Sequence, residues 1–320
     1  MESLTITLGG YAHSDAVLDG RVPVDGYVVK PVEVRPIIAA YRRMIRDLEF
    51  DVCELAPVSY LMAREAGVPL TAIPVFLNRR FHHGDVQCSP SSGITAPRDL
   101  EGRRVGVRAY SVSTGVWARG VLEDDYGVDL SQVTWVVDDD DHVEGRAPAN
   151  VERVRDERSL SEHLAANEID AAFTGNAGTG RAGNPKDGWE ATADAAPVTY
   201  PLFADREVIE RDHYLRTGIY PLHSVVVVRS ELVEKDPELP TRLYAAFVEA
   251  KRVAVAEDPD FTALPRLARQ GAMVGGDPIP YGIGSNAPSL AALQRFSRAQ
   301  GLIDAEPGED LFAPGDYPDS

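Results

Sequence analysis

Two short histidine motifs, about 140 residues apart, hold the side chains best suited to moving a proton. The first reads Arg79-Arg80-Phe81-His82-His83-Gly84 and the second Thr217-Gly218-Ile219-Tyr220-Pro221-Leu222-His223. The chain has only seven histidines in 320 residues, so three of them in two motifs is a concentration. An imidazole changes charge near neutral pH and can serve as acid, base or metal ligand. His83 and His223 are the first candidates for proton transfer. If His83 faces a ligand from extended chain, His82 alternates to the opposite side. The plain alternatives are a strand-end cap at His83 and a core histidine at His223. Three histidines with Glu54 would suit zinc or iron, but no tight ligand spacing such as His-Glu-Xaa-Xaa-His occurs, and no metal is expected. Gly175–Gly180 is glycine-rich without the Gly-Lys-Ser/Thr ending of a phosphate loop.

The chain that positions these residues is long enough for two compact cores. Its 44% hydrophobic and 26% charged content are those of an ordinary globular protein. A formal net charge of −18 argues against nucleic acid or an anionic membrane surface as partner. No apolar run approaches the roughly 18–20 residues of a membrane span. Met1–Leu8 shows no signal-peptide pattern, so a cytoplasmic protein is the default expectation. Cys53 and Cys88 are too few for a disulfide framework and lack zinc spacing. The sequence is silent on oligomeric state, and a homo-oligomer is compatible with it.

Hydrophobic periodicity supplies the elements. Strands are expected at Leu4–Leu8, Tyr27–Val32, Phe50–Leu55 and Leu70–Phe76. Helices are expected between them at Ser14–Leu18, Pro36–Leu48 and Pro57–Ala66. This alternation predicts a mainly parallel α/β sheet. After the break Ser89–Gly93 a second unit of similar layout begins. It has strands near Val105–Val107, Val133–Val137 and Ile169–Phe173, and helices at Ser113–Asp125 and Ser159–Ala166. Asp138–Asn150 reads as an acidic, solvated loop and Gly175–Pro197 as an irregular excursion. His223–Arg229 is the strongest C-terminal strand, with helices following at Pro240–Ala256 and Leu290–Gln300.

The run Pro97-Arg98-Asp99-Leu100-Glu101-Gly102-Arg103-Arg104-Val105-Gly106-Val107, after Gly93-Ile94, resembles the start of the second lobe in type 2 periplasmic-binding-protein folds. That resemblance implies an α/β chain of two Rossmann-like lobes, joined by two crossing strands with a ligand cleft between. Lobe 1 would be 1–86 plus 226–320, and lobe 2 would be 87–225. The crossings would be His83–Cys88 and His223–Arg229, so both histidine motifs would reach the cleft. More closely, the chain resembles the 4,5-dihydroxyphthalate decarboxylase family from about Leu4 to Gly301. The pieces include Glu49-Phe50-Asp51-Val52-Cys53-Glu54, Ile73-Pro74-Val75-Phe76, Arg79–His83, Trp117-Ala118-Arg119-Gly120, Asp125-Tyr126-Gly127-Val128, Thr217–His223 and Tyr281-Gly282 with Asn286. Two places depart from the family. His82 stands where arginine is usual, and Thr174–Arg181 replaces an Arg-Xaa-Pro-like segment.

The resemblance implies a cofactor-independent enzyme that removes CO2 from a hydroxylated aromatic acid, plausibly 4,5-dihydroxyphthalate giving protocatechuate. Such chemistry needs an acid for the ring carbon, a partner for the phenol and cations for the carboxylates. His83, His223 and Glu54 are the catalytic candidates. Arg79, Arg80, Arg108 and Arg119 could hold carboxylates through their planar forks. Tyr11, Tyr110, Ser113 and Thr114 could hydrogen-bond phenolic oxygens, with His82 as a further substrate contact. The alternative reading is a non-catalytic solute-binding protein of an ABC transporter, or a ligand sensor for a small carboxylate. Lack of a signal peptide or lipobox cysteine weighs against it.

Overall fold

The computed structural model describes residues 1–180 and 198–320. The chain divides into two compact units. The first is Met1–Arg80 with Tyr214–Ala292 and Glu306–Ser320, and the second is Phe81–His213 with Leu293–Ala305. The divisions fall at Arg80/Phe81 and His213/Tyr214, where the sequence reading has 86/87 and 225/226. The second unit also takes a C-terminal segment that the sequence reading leaves in the first.

The chain begins with β1 (Glu2–Thr7), α1 (Ala12–Leu18), β2 (Tyr27–Pro31), α2 (Ile38–Asp47), β3 (Val52–Leu55), α3 (Pro57–Glu65) and β4 (Leu70–Ile73). It continues with β5 (Val86–Cys88), β6 (Arg104–Gly106), α4 (Ser113–Tyr126), β7 (Thr134–Val137), β8 (Val151–Arg153), α5 (Leu160–Ala165), β9 (Ala171–Phe173), β10 (Tyr200–Pro201) and α6 (Arg206–Thr217). It ends with β11 (Val225–Arg229), α7 (Ser230–Lys235), α8 (Leu239–Glu257), α9 (Pro265–Val274) and α10 (Ala287–Ala299).

The first unit's sheet has the order β2-β1-β3-β11-β4. Helical crossovers make β1, β2 and β3 parallel, while β11 runs antiparallel between β3 and β4. The four valines of β11 are buried, as a strand covered on both faces requires. Leu4, Ile6, Val52 and Val228 of the sheet pack with Val17 of α1 and Leu243, Phe247 and Ala250 of α8. Each of these side chains larger than alanine contributes roughly 1.5–3 kcal/mol of transfer free energy. The second unit's sheet has the order β10-β5-β9-β6-β7-β8. There β6, β7, β8 and β9 run parallel, β5 pairs antiparallel with β9, and β10 pairs antiparallel with β5. The mainly parallel expectation holds, with the strands that follow the two histidine motifs entering their sheets antiparallel.

Other differences have local causes. His83 lies in a single 3-10 turn, His83–Asp85, before β5 rather than in the strand. His223 precedes β11 by two residues, its N–H donating to the Asn78 carbonyl at 2.9 Å. The acidic run is not simply solvated: Asp138 and Asp139 are buried, and Asp139 accepts from Arg108 at 2.9 Å. The expected excursion Gly175–Pro197 lies, from residue 181 to 197, outside the described residues. Among the described residues no helix is long and apolar enough to cross a membrane.

Candidate active site

In the first unit the polar side chains gather around Glu54. Glu54 is buried near the C-terminal end of β3, the edge where open α/β sheets present groups to ligands. Its Oε2 accepts the Gly9 N–H at 2.8 Å, and its Oε1 accepts the hydroxyls of Tyr11 at 2.8 Å and Tyr41 at 3.1 Å. Ser224 adds a further side-chain hydrogen bond. Burial pushes the Glu54 carboxyl up despite these donors, which makes it a stronger base than a solvated glutamate. Burial and the adjacent Glu54 charge push the Tyr11 phenol up, so it stays a donor. The Ser224 hydroxyl accepts the Asn78 N–H at 2.9 Å, and Asn78 Oδ1 accepts from Arg266 at 2.9 Å. One hydrogen-bonded path thus links Tyr11, Glu54, Ser224 and Asn78, with the His223 main chain and Arg266 attached to Asn78. Tyr11 also walls a cavity of about 610 Å³ with Gly9, Gly10 and Arg35. A second cavity of about 290 Å³ is lined by Tyr11, His13 and Arg266. The first volume is in the range that holds small molecules. His13 donates from Nε2 to the Leu77 carbonyl at 3.1 Å, and burial pulls its pKa down to about 4.

In the second unit a different cluster forms where the turn before β5 meets α4 and α6. The His83 ring lies 5.3 Å from that of His213 and 5.7 Å from that of Phe203, centroid to centroid. His213 Nδ1 donates to Asp125 Oδ2 at 2.7 Å. His82 Nδ1 donates to Asp85 Oδ2 at 2.8 Å. Glu210 lies one helical turn before His213, and burial pushes its carboxyl up to about 7. His83, Asp125 and His213 each offer a ligand atom, all within 4.8 Å of one another.

The comparisons with known proteins fit this architecture. A family model described as "NMT1/THI5 like" matches residues 49–151. A Comamonas testosteroni protein named 4,5-dihydroxyphthalate decarboxylase is 32% identical over 97% of this chain and 96% of its own length. The chain belongs to the 4,5-dihydroxyphthalate decarboxylase family. A Pseudomonas putida protein of the same name is 34% identical over 53% of this chain and 69% of its own length. The fold is the two-lobed, type 2 periplasmic-binding-protein-like α/β fold. The aliphatic sulphonate binding protein SsuA from Escherichia coli matches with TM-score 0.52 and 14% identity, covering 97% of this chain and 91% of that one. The desulfurization enzyme DSZB matches with TM-score 0.53 and 18% identity, covering 98% and 97%.

For a member of this decarboxylase family, a carboxy-lyase family, the candidates read from sequence separate into groups. Tyr11, Glu54 and His223 fall on one network in the first unit, and His82 and His83 on the second unit's cluster. Two of the expected carboxylate anchors have their guanidinium groups engaged within the protein. Arg79 is buried, and its guanidinium donates to Asn286 Oδ1 at 2.5 Å and to the Tyr220 carbonyl, 4.1 Å over the Tyr220 ring. Arg119 is buried, donates to Gln300 Oε1 at 2.7 Å and to the Tyr110 carbonyl, and stacks 4.0 Å over the Tyr110 ring. Both forks thus brace the protein's own backbone and rings, and Tyr110 is engaged with Arg119. Arg108 is buried against Asp139, and Arg80 is half-buried. Ser113 and Thr114 are buried in the first turn of α4. The sequence does not single out His13, Glu210, His213 or Arg266, and it shows Asp125 only within the run Asp125-Tyr126-Gly127-Val128. The one available signal was Glu210 and His213 at i, i+3 in a charged segment.

Proposed function

We propose that this chain decarboxylates a hydroxylated aromatic carboxylic acid, with 4,5-dihydroxyphthalate giving protocatechuate and CO2 as the leading reaction. The observation that carries the reading is the similarity over 97% of the chain to the Comamonas testosteroni protein of that name. A ring hydroxyl donates electron density, the carbon bearing the carboxylate takes a proton, and the C–C bond breaks. Its electron pair restores aromaticity and CO2 leaves. This sequence needs no electron-sink cofactor, and the reading assigns none.

His83 and His223 are assigned to proton transfer. Glu54, made basic by burial and fronted by the Tyr11 hydroxyl, is assigned to the phenolic proton. Arg80, Arg108, His82, Ser113 and Thr114 remain substrate contacts of the proposal. Arg266 joins them because it is exposed beside Tyr11. A non-catalytic solute-binding protein is the second reading, favoured by the fold shared with SsuA. The same fold carries the enzyme DSZB, so fold alone does not separate the two.

In D2O, turnover is expected to leave one deuterium on the ring carbon that loses its carboxylate. His83→Ala and His223→Ala are each expected to lower kcat by ~10²-fold or more. Undiminished kcat in both variants would remove these histidines from the reaction.

A further inference from the structure

The second unit carries a cluster in which Asp125 and His213, neither of them used by the decarboxylase reading, stand beside His83. Three separate segments bring it together: His83 from the turn before β5, Asp125 from the last turns of α4, and His213 from α6. The His83 and His213 side chains are buried, and the Asp125 side chain is 9% exposed. Their ligand atoms lie within 4.8 Å of one another. Around a divalent ion with bonds of about 2.0–2.2 Å such atoms sit about 3.4 Å apart, so ring rotations complete the set. Asp85 and Glu210 add two more carboxylates close by.

The way α6 docks points the same way. Among its described side chains, only Glu210 and His213 are buried. A helix that buries polar groups gains little from the hydrophobic effect, and its docking rests on what those groups bind.

We propose that His83, Asp125 and His213 form a binding site for a divalent transition-metal ion. Two imidazoles and one carboxylate suit zinc or iron(II), and not the all-oxygen preference of magnesium or calcium. The binding test is read without substrate, so its outcome does not depend on the reading of the reaction. A bound ion would take from His83 the lone pair that the decarboxylase reading gives to proton transfer.

The purified chain, stripped with chelator, is titrated with Zn2+ by calorimetry and with Co2+ by visible absorption, with Mg2+ alongside. One equivalent of Zn2+ is expected to bind at ~1 µM or tighter, with cobalt bands of mixed nitrogen and oxygen ligation and no Mg2+ binding. His213→Ala and the shape-conserving Asp125→Asn are each expected to weaken Zn2+ binding ~10²-fold, with folding checked by circular dichroism. No saturable Zn2+ or Co2+ binding by the unsubstituted chain would overturn the site. So would binding unchanged in a folded Asp125→Asn protein.

Discussion

At the scale of single residues, what decides the chemistry is how each polar group is solvated and by what. Glu54 loses water but gains donors from Gly9, Tyr11 and Tyr41, so its charge is held by oriented dipoles. Tyr11→Phe removes one of those donors from a residue that walls the cavity. It is expected to lower kcat/KM for the aromatic acid by ~10–100-fold with little loss of fold, as steady-state kinetics beside thermal melting would read. An unchanged kcat/KM would take Tyr11 out of the site. That Tyr11, Glu54 and His223 lie in or beside strands is legible in the sequence, because strand ends follow from the apolar alternation. For Arg79 and Arg119 the sequence does not reveal that their forks are engaged within the protein. An arginine that stacks on a ring and feeds backbone carbonyls has the same letters nearby as one that waits for a carboxylate.

Elements with hydrophobic periodicity were legible, and those without it were not. The helix α8 and the valine strand β11 bury apolar faces, so their patterns announced them. The helix α6 buries Glu210 and His213 and presents charged residues elsewhere, so no 3.6-residue apolar period marks it. Its absence from the sequence reading hid the partner of His83. The helix α4 shows the reverse problem. It is buried on nearly every side, and Gly120 sits in it where a Cβ would fall 2.3 Å from the Phe296 ring. Gly120→Ala would ordinarily favour a helix by about 1 kcal/mol. Here the contact with Phe296 is expected to reverse the sign and destabilise by about 1–3 kcal/mol, read from the urea midpoint. A midpoint equal to or above that of the unsubstituted protein would mean the contact is not tight.

For the molecule as a whole, the two units were legible as two α/β repeats, and the order of motifs was specific enough to reach the right family. The division points were not, because the segments 81–86 and 214–225 carry turn and helix residues whose unit is set by packing, and 293–305 lies far along the chain from the unit it joins. A net charge of −18 describes the whole chain and does not say which side chains meet a ligand. The central claim, that this family member carries out decarboxylation and does not merely bind an aromatic acid, is a claim about the whole chain. The most direct measurement is to give the purified chain 4,5-dihydroxyphthalate and follow the acid by absorbance while collecting CO2. Saturable loss of the acid with one CO2 and one protocatechuate per molecule consumed is the predicted result. Saturable binding of the acid with no CO2 released would contradict it.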